Sequence, residues 1–176
     1  TESSIAVMEH PDVVGVSFVG STPVARIVYE TCAKHGKRVQ AQGGAKNYIA
    51  VMPDADMAAS VANIMGSSFG CAGQRCLAGS VVVAEGAQVL LDGRGATVAG
   101  LEQGSFVGPT ILDGVTPEMS VARDEIFGPV LSIIHVPDFE PAVITINASR
   151  YGNAASLFTN SGKHARDFKY RVRAGN

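Results

Sequence analysis

Three thiols in this chain could attack a substrate covalently: Cys32, Cys71 and Cys76. Cys76 ends the segment Phe69-Gly70-Cys71-Ala72-Gly73-Gln74-Arg75-Cys76. A thiolate, not a thiol, is the working nucleophile, and Arg75 sets a cation beside the sulfur that favours the charged form. Gly70, Ala72 and Gly73 carry little or no side chain, so a ligand could come close to the backbone above the sulfur. A cysteine taken at random is more often an inert packed group. The Gly-Gln-Arg-Cys context between a helix and a strand is what sets Cys76 apart. Cys71 and Cys76 are spaced like a loose metal or redox pair, but no second pair and no cluster of histidines follows, so no metal site is expected. Cys71 is expected to pack. Cys32 shares helical spacing with Val24, Ile27 and Val28 and is expected in the core.

These residues need a scaffold. Val13 to Val19 is an apolar run that breaks at Gly20-Ser21-Thr22-Pro23, the pattern of a buried strand followed by a helix start. Ser21 or Thr22 suits the N-cap and Pro23 the first turn, and Gly36 closes the helix. Strands are expected over Arg38–Gln42 and Tyr48–Met52, on either side of Gly43-Gly44. A helix is expected from Asp54 to about Phe69, with Met57, Val61, Ile64 and Met65 on one face. After Cys76 a strand is expected at Ser80–Ala84. Further strands are read at Gln88–Asp92, Phe106–Leu112, Val130–Val136 and Ala154–Thr159, with helices at Phe139–Ser149 and Ser161–Tyr170. Alternating strands and helices predict a layered α/β fold.

The chain has 176 residues, enough for an ordinary core. Hydrophobic residues make up 46% and charged residues 17%, which excludes a disordered chain, and the net charge of −2 suggests neither a nucleic-acid surface nor a membrane patch. Three cysteines are too few and odd in number for a disulfide framework, so a reducing, cytoplasmic setting is expected. No apolar run approaches the ~18 residues of a membrane span. Thr1-Glu2-Ser3-Ser4 lacks the character of a signal peptide. Both ends read as cuts.

Four motifs then fall in one order: Phe18-Val19-Gly20-Ser21-Thr22, Gly43-Gly44-Ala45-Lys46-Asn47, Gly73-Gln74-Arg75-Cys76 and Glu125-Ile126-Phe127-Gly128-Pro129. Together they resemble the aldehyde dehydrogenase superfamily. Gly-Gly-Ala-Lys-Asn, the Arg before the Cys, and Gly104-Ser105-Phe106-Val107-Gly108-Pro109-Thr110-Ile111-Leu112 are most similar to its CoA-acylating methylmalonate-semialdehyde dehydrogenases. The resemblance implies an α/β/α catalytic domain over residues 43–176, preceded at 1–42 by the tail end of an NAD-binding domain. It implies that Cys76 attacks an aldehyde carbon, that the thiohemiacetal gives hydride to NAD, and that a thioester remains on the sulfur. It gives Ser21 and Gly20 the cofactor pyrophosphate, a role that suits a helix N-terminus. Gly43 would line the nicotinamide side, Glu125 would bond the nicotinamide ribose, and Phe127 would shape the nicotinamide pocket. Arg75 could also pair with a substrate carboxylate. The family also implies a homo-oligomer, a dimer or tetramer.

The departures narrow the expected reaction. Hydrolytic members carry a Glu two residues before the Gly-Gly pair as base for water. Here Ala41 stands there, between Gln40 and Gln42, and alanine takes no proton. Coenzyme A, a better nucleophile than water, is therefore the expected acceptor, giving an acyl-CoA such as propionyl-CoA from a carboxylate-bearing semialdehyde. Val81–Gly86 and Ala87–Gly95 match family segments that lie far apart, so an internal excision is expected near 86–87. Two alternatives stand beside this: a hydrolytic dehydrogenase with another base, and an inactive fragment that keeps the scaffold.

Overall fold

The computed structural model describes residues 2–84 and 91–176. The strand expected at Gln88–Asp92 and the junction near 86–87 fall wholly or partly outside the described residues. Two compact units divide the chain, Thr1–Gly44 and Ala45–Asn176, a boundary two residues beyond the one expected.

The first unit holds α1 (Glu2–Glu9), β1 (Gly15–Val19), α2 (Thr22–Lys34) and β2 (Arg38–Gln42). β1 and β2 pair in parallel, with Val16 opposite Val39 and Phe18 opposite Ala41. Strand side chains alternate in direction, and these four pack with Met8, Val28 and Cys32. Cys32 is fully buried, as its helical spacing predicted. Gly36 follows α2 with a positive φ of 67°, the conformation a helix end asks of glycine. α1, unforeseen in the sequence, contributes Met8 to this core.

The second unit is built on a five-stranded parallel sheet in the order β5 (Thr110–Leu112), β6 (Val130–His135), β4 (Gly79–Ala84), β3 (Asn47–Val51), β7 (Ala155–Phe158). β3 is buried at every position, as a strand covered on both faces must be. Tyr48, Ala50, Val81, Val83 and Ile134 pack on one face with α5 (Phe139–Asn147), Phe168 of α6 (Gly162–Arg171) and Ala122 of the short α4 (Ser120–Arg123). Ile49, Val51, Val82, Leu131 and Ile133 pack on the other with Ile64 and Phe69 of α3 (Met57–Phe69). The expected α/β/α layering is therefore present in this unit.

Two expected elements are shorter, for local reasons. The strand foreseen from Phe106 begins only at Thr110, because Pro109 cannot donate to a ladder. α3 begins at Met57, capped by Asp56, whose carboxylate accepts from the Ala59 amide at 3.0 Å. Asp54, the expected start, instead binds the Thr159 hydroxyl at 2.9 Å and the Asn160 amide at 3.0 Å.

Candidate active site

The residues with chemistry in the second unit collect at one edge of its sheet. Parallel strands share one direction, so the segments entering β3, β4, β6 and β7 all arrive at the same amino edge. Lys46 and Asn47 lead into β3, Cys76 into β4, Glu125 to Pro129 into β6, and Asn153 into β7.

The loop carrying Cys76 is locked by its backbone. Cys71, Ala72 and Gly73 all have positive φ, at 54°, 54° and 69°, a left-handed turn that costs non-glycine residues roughly 1–2 kcal/mol each. At Gly73 nothing larger than hydrogen fits, since a Cβ would lie 2.3 Å from the Gly128 carbonyl oxygen. This contact ties the cysteine loop to the Glu125–Pro129 motif. Two amides hold the far side of the loop. Asn47 Nδ2 donates to the carbonyls of Cys76 (2.9 Å) and Ala78 (2.8 Å). Asn153 Nδ2 donates to the same Cys76 carbonyl at 2.7 Å.

Cys76 itself is exposed. It borders an open groove of about 780 Å3 lined by Asn63, Ser67, Gln74 and Arg75 among others. Cys71 is also exposed, not packed as its sequence context suggested; the left-handed turn rotates it outward. Arg75 is committed in part elsewhere. Its Nη2 donates to the carbonyls of Gly66 (2.7 Å) and Ser67 (2.8 Å), capping the negative end of α3. Gly70 leaves the space for this guanidinium, since a Cβ there would lie 2.7 Å from Nη2.

Arg75 also lines a narrow recess with Lys46, Glu125 and Phe127. Glu125 is half-buried, and its Oε1 accepts from the Ala45 amide at 3.0 Å. It is thus oriented by the Gly-Gly-Ala-Lys-Asn segment and is not a loose surface charge. Phe127 has a positive φ of 53° and is 51% exposed, so its ring is presented outward and is not core. Lys46 is only 2% exposed. Burial lowers its pKa to about 8, against the raising influence of Asp124 and then Glu125. Asp124 is itself paired with Arg150 at 2.9 Å.

In the first unit, Ser21 takes the N-cap position of α2 but makes no side-chain cap bond. Its hydroxyl and the first amides of a thirteen-residue helix are left for another acceptor or an anion. Thr22 Oγ1 is engaged, accepting from the Gly44 amide at 3.0 Å. Gly20 N–H donates to the Gln42 carbonyl. Gly43 lies so close to Thr22 that a Cβ would meet Thr22 Oγ1 at 2.9 Å.

Sequence reasoning missed Lys46, Asn47 and Asn153 as working parts. The signal for the first two was a charged and an amide residue directly before an unbroken apolar strand. Nothing local marks Asn153. Among the described residues, no three of His, Cys, Asp or Glu gather as a metal site, and no helix is long and apolar enough to cross a membrane.

A doubly covered parallel sheet with an exposed, backbone-locked cysteine at its amino edge makes the second unit an α/β domain that presents a thiol. The chain belongs to the aldehyde dehydrogenase family, whose profile it matches over residues 1–85 and 81–176. It is 39% identical to malonate-semialdehyde dehydrogenase of Bacillus cereus (strain AH187), over 97% of this chain and 46% of that protein. Among solved structures it is similar to the methylmalonate-semialdehyde dehydrogenase of Oceanimonas doudoroffii, with TM-score 0.93 and 36% identity over 98% of this chain and 46% of that one. A Sinorhizobium meliloti protein described as a methylmalonate-semialdehyde dehydrogenase, complexed with NAD, superposes with TM-score 0.92 and 34% identity over the same shares. The chain thus spans under half the length of these relatives.

Proposed function

We propose that this chain is the nucleophile-bearing part of an NAD-dependent dehydrogenase that oxidises a carboxylate-bearing semialdehyde, malonate or methylmalonate semialdehyde, and passes the acyl group to coenzyme A. The observation that carries the proposal is Cys76: an exposed thiol on a loop fixed by both Gly73 and two asparagine amides, beside an open groove. The Cys76 thiolate adds to the aldehyde carbon. Bound NAD would supply the hydride acceptor by which the thiohemiacetal on Cys76 becomes a thioester. The thiolate of coenzyme A then displaces Cys76 as leaving group. Arg38–Gly44 contains no Asp, Glu or His, which supports transfer to a thiol over water activated from that segment. Arg75, with Nη1 and Nε not bonded among the described residues, is the group to meet the substrate carboxylate. In the first unit Ser21, Gly20 and Gly43 are proposed as contacts for NAD. In the second unit, taken by itself, Glu125 and Phe127 are proposed as contacts for NAD. Residues 1–42 are assigned to the NAD-binding domain and 43–176 to the catalytic domain.

An internal excision near 86–87 belongs to the same proposal. The relatives' alignment runs over 222 positions for a chain of 176 residues, and the family profile matches in two stretches that meet at 81–85. The assembly is proposed to be a homo-oligomer in the cytoplasm.

The test is NADH formation from malonate and methylmalonate semialdehyde, with and without coenzyme A, for the chain and for Cys76→Ser. Turnover that needs both coenzyme A and Cys76 is expected. Turnover without coenzyme A would favour the hydrolytic alternative. No NADH under either condition from folded chain would leave the scaffold alternative standing and refute activity in this chain.

A further inference from the structure

We infer that Asn47 and Asn153 are positioning residues that set the direction of the Cys76 thiol by holding its own carbonyl. The inference rests on the proposed role of Cys76, but its evidence is geometric. A carbonyl oxygen has two lone pairs, and at Cys76 both are taken by amide donors, Asn47 Nδ2 at 2.9 Å and Asn153 Nδ2 at 2.7 Å. Asn47 is 4% exposed, and its second amide hydrogen goes to the Ala78 carbonyl at 2.8 Å. Its Oδ1 in turn accepts from Asn153 Nδ2 at 3.5 Å. The donor capacity of a buried side chain is thus spent on the three-residue stretch from Cys76 to Ala78 and on nothing else.

The placement follows from strand register. β3 pairs in parallel with β4 on one side and β7 on the other, with Asn47 opposite Gly79 and Tyr48 opposite Ala155. The first residue of β3 and the residues just before β7 therefore arrive at the same edge as the loop before β4. The register of β3 and β4 shifts between Asn47 and Tyr48, which offsets Asn47 toward the cysteine loop. On the opposite side the loop is fixed by Gly73 against Gly128 and by Arg75 on the end of α3. Cys76 stands between these two anchors with its side chain exposed. Loss of the amide anchor frees rotation about the Cys76 backbone while the Arg75 anchor remains, so the thiol leaves its fixed direction without the sheet unfolding.

The experiment is alkylation by iodoacetamide followed by peptide mass spectrometry, which reads all three cysteines in one sample. Cys32, fully buried, reports unfolding, and the exposed Cys71 reports general loosening of the loop. Asn153→Ala removes one donor from an exposed position and is expected to fold. Asn47→Asp keeps the shape but turns the donor to both carbonyls into an acceptor. Each is expected to change the Cys76 rate by roughly tenfold, as small misplacements of reacting groups do, while the ratio of Cys71 to Cys32 labelling holds. Asn153→Ser, which retains a short donor, should recover part of the change. An unaltered Cys76 rate in Asn153→Ala, or parallel acceleration of all three cysteines in both variants, would overturn the inference. If Cys76 in the unaltered chain reacts no faster than Cys71, the nucleophile proposal fails instead.

Discussion

Lys46 makes the stability of this protein depend on pH in a way that can be worked out in advance. Its ammonium is 2% exposed, and burial lowers its pKa from 10.5 to about 8 even though Asp124 and Glu125 oppose the shift. The folded chain therefore disfavours the protonated form. Between about pH 8 and about pH 10.5 the unfolded chain binds more protons, so unfolding free energy must rise with pH across that window. The cost of the buried charge is fully present below about pH 8 and is relieved as pH rises. Linkage gives a total of about 3 kcal/mol, of which about 2 kcal/mol falls between about pH 7 and about pH 9.5. Tyr48, whose pKa burial raises above its ordinary value, acts in the opposite direction only from about pH 10 upward, so the range should stop short of it. The assay is urea unfolding of the chain and of Lys46→Met at several pH values, since methionine keeps the length and loses the charge. The unaltered chain should gain about 2 kcal/mol relative to Lys46→Met between about pH 7 and about pH 9.5. Parallel stability curves would show that Lys46 titrates as a solvated lysine, and the account of the recess would be wrong.

Two substitutions test the loop geometry independently. Gly73→Ala places a Cβ 2.3 Å from the Gly128 carbonyl oxygen at a φ of 69°. It should destabilise the chain by about 3 kcal/mol or more, read as a lower urea midpoint. Ala72→Gly relieves a φ of 54° and should stabilise by up to about 1 kcal/mol, read as a higher Tm; a lower Tm would mean that the turn is not left-handed in solution.

The scaffold was legible where side chains repeat. Short apolar and alternating runs placed β1, β2, β3, β4 and β6 to within a residue or two at each end, and Ser161 and Gly36 marked helix limits, because these signals are local. Asp54 shows where local signals mislead: two carboxylates precede α3, and only tertiary contacts with Thr159 and Asn160 decide which one caps it. The site was legible in part. Gly73 and Cys76 stand out by residue type, but the bond from Asn153 to the Cys76 carbonyl spans 77 positions and leaves no trace in spacing. Phe127 was marked by its place in the Glu125–Pro129 motif, but its left-handed backbone, with φ of 53°, leaves no trace in the sequence. Arg75 reads as an activator of the thiol, yet one of its amino groups is spent on a helix end.

Among the described residues, the amide donors that hold the Cys76 carbonyl lie at the amino edge of the second unit's sheet, so that rim is the constrained one. β4 leaves the cysteine loop at Gly79 and ends at Ala84, roughly 17 Å away at the usual strand rise. Chain gained or lost beyond Ala84 joins at the opposite rim, where none of the bonds that hold Cys76 originates. A change in chain length beyond Ala84 therefore enters on the rim away from the loop that presents the Cys76 thiol.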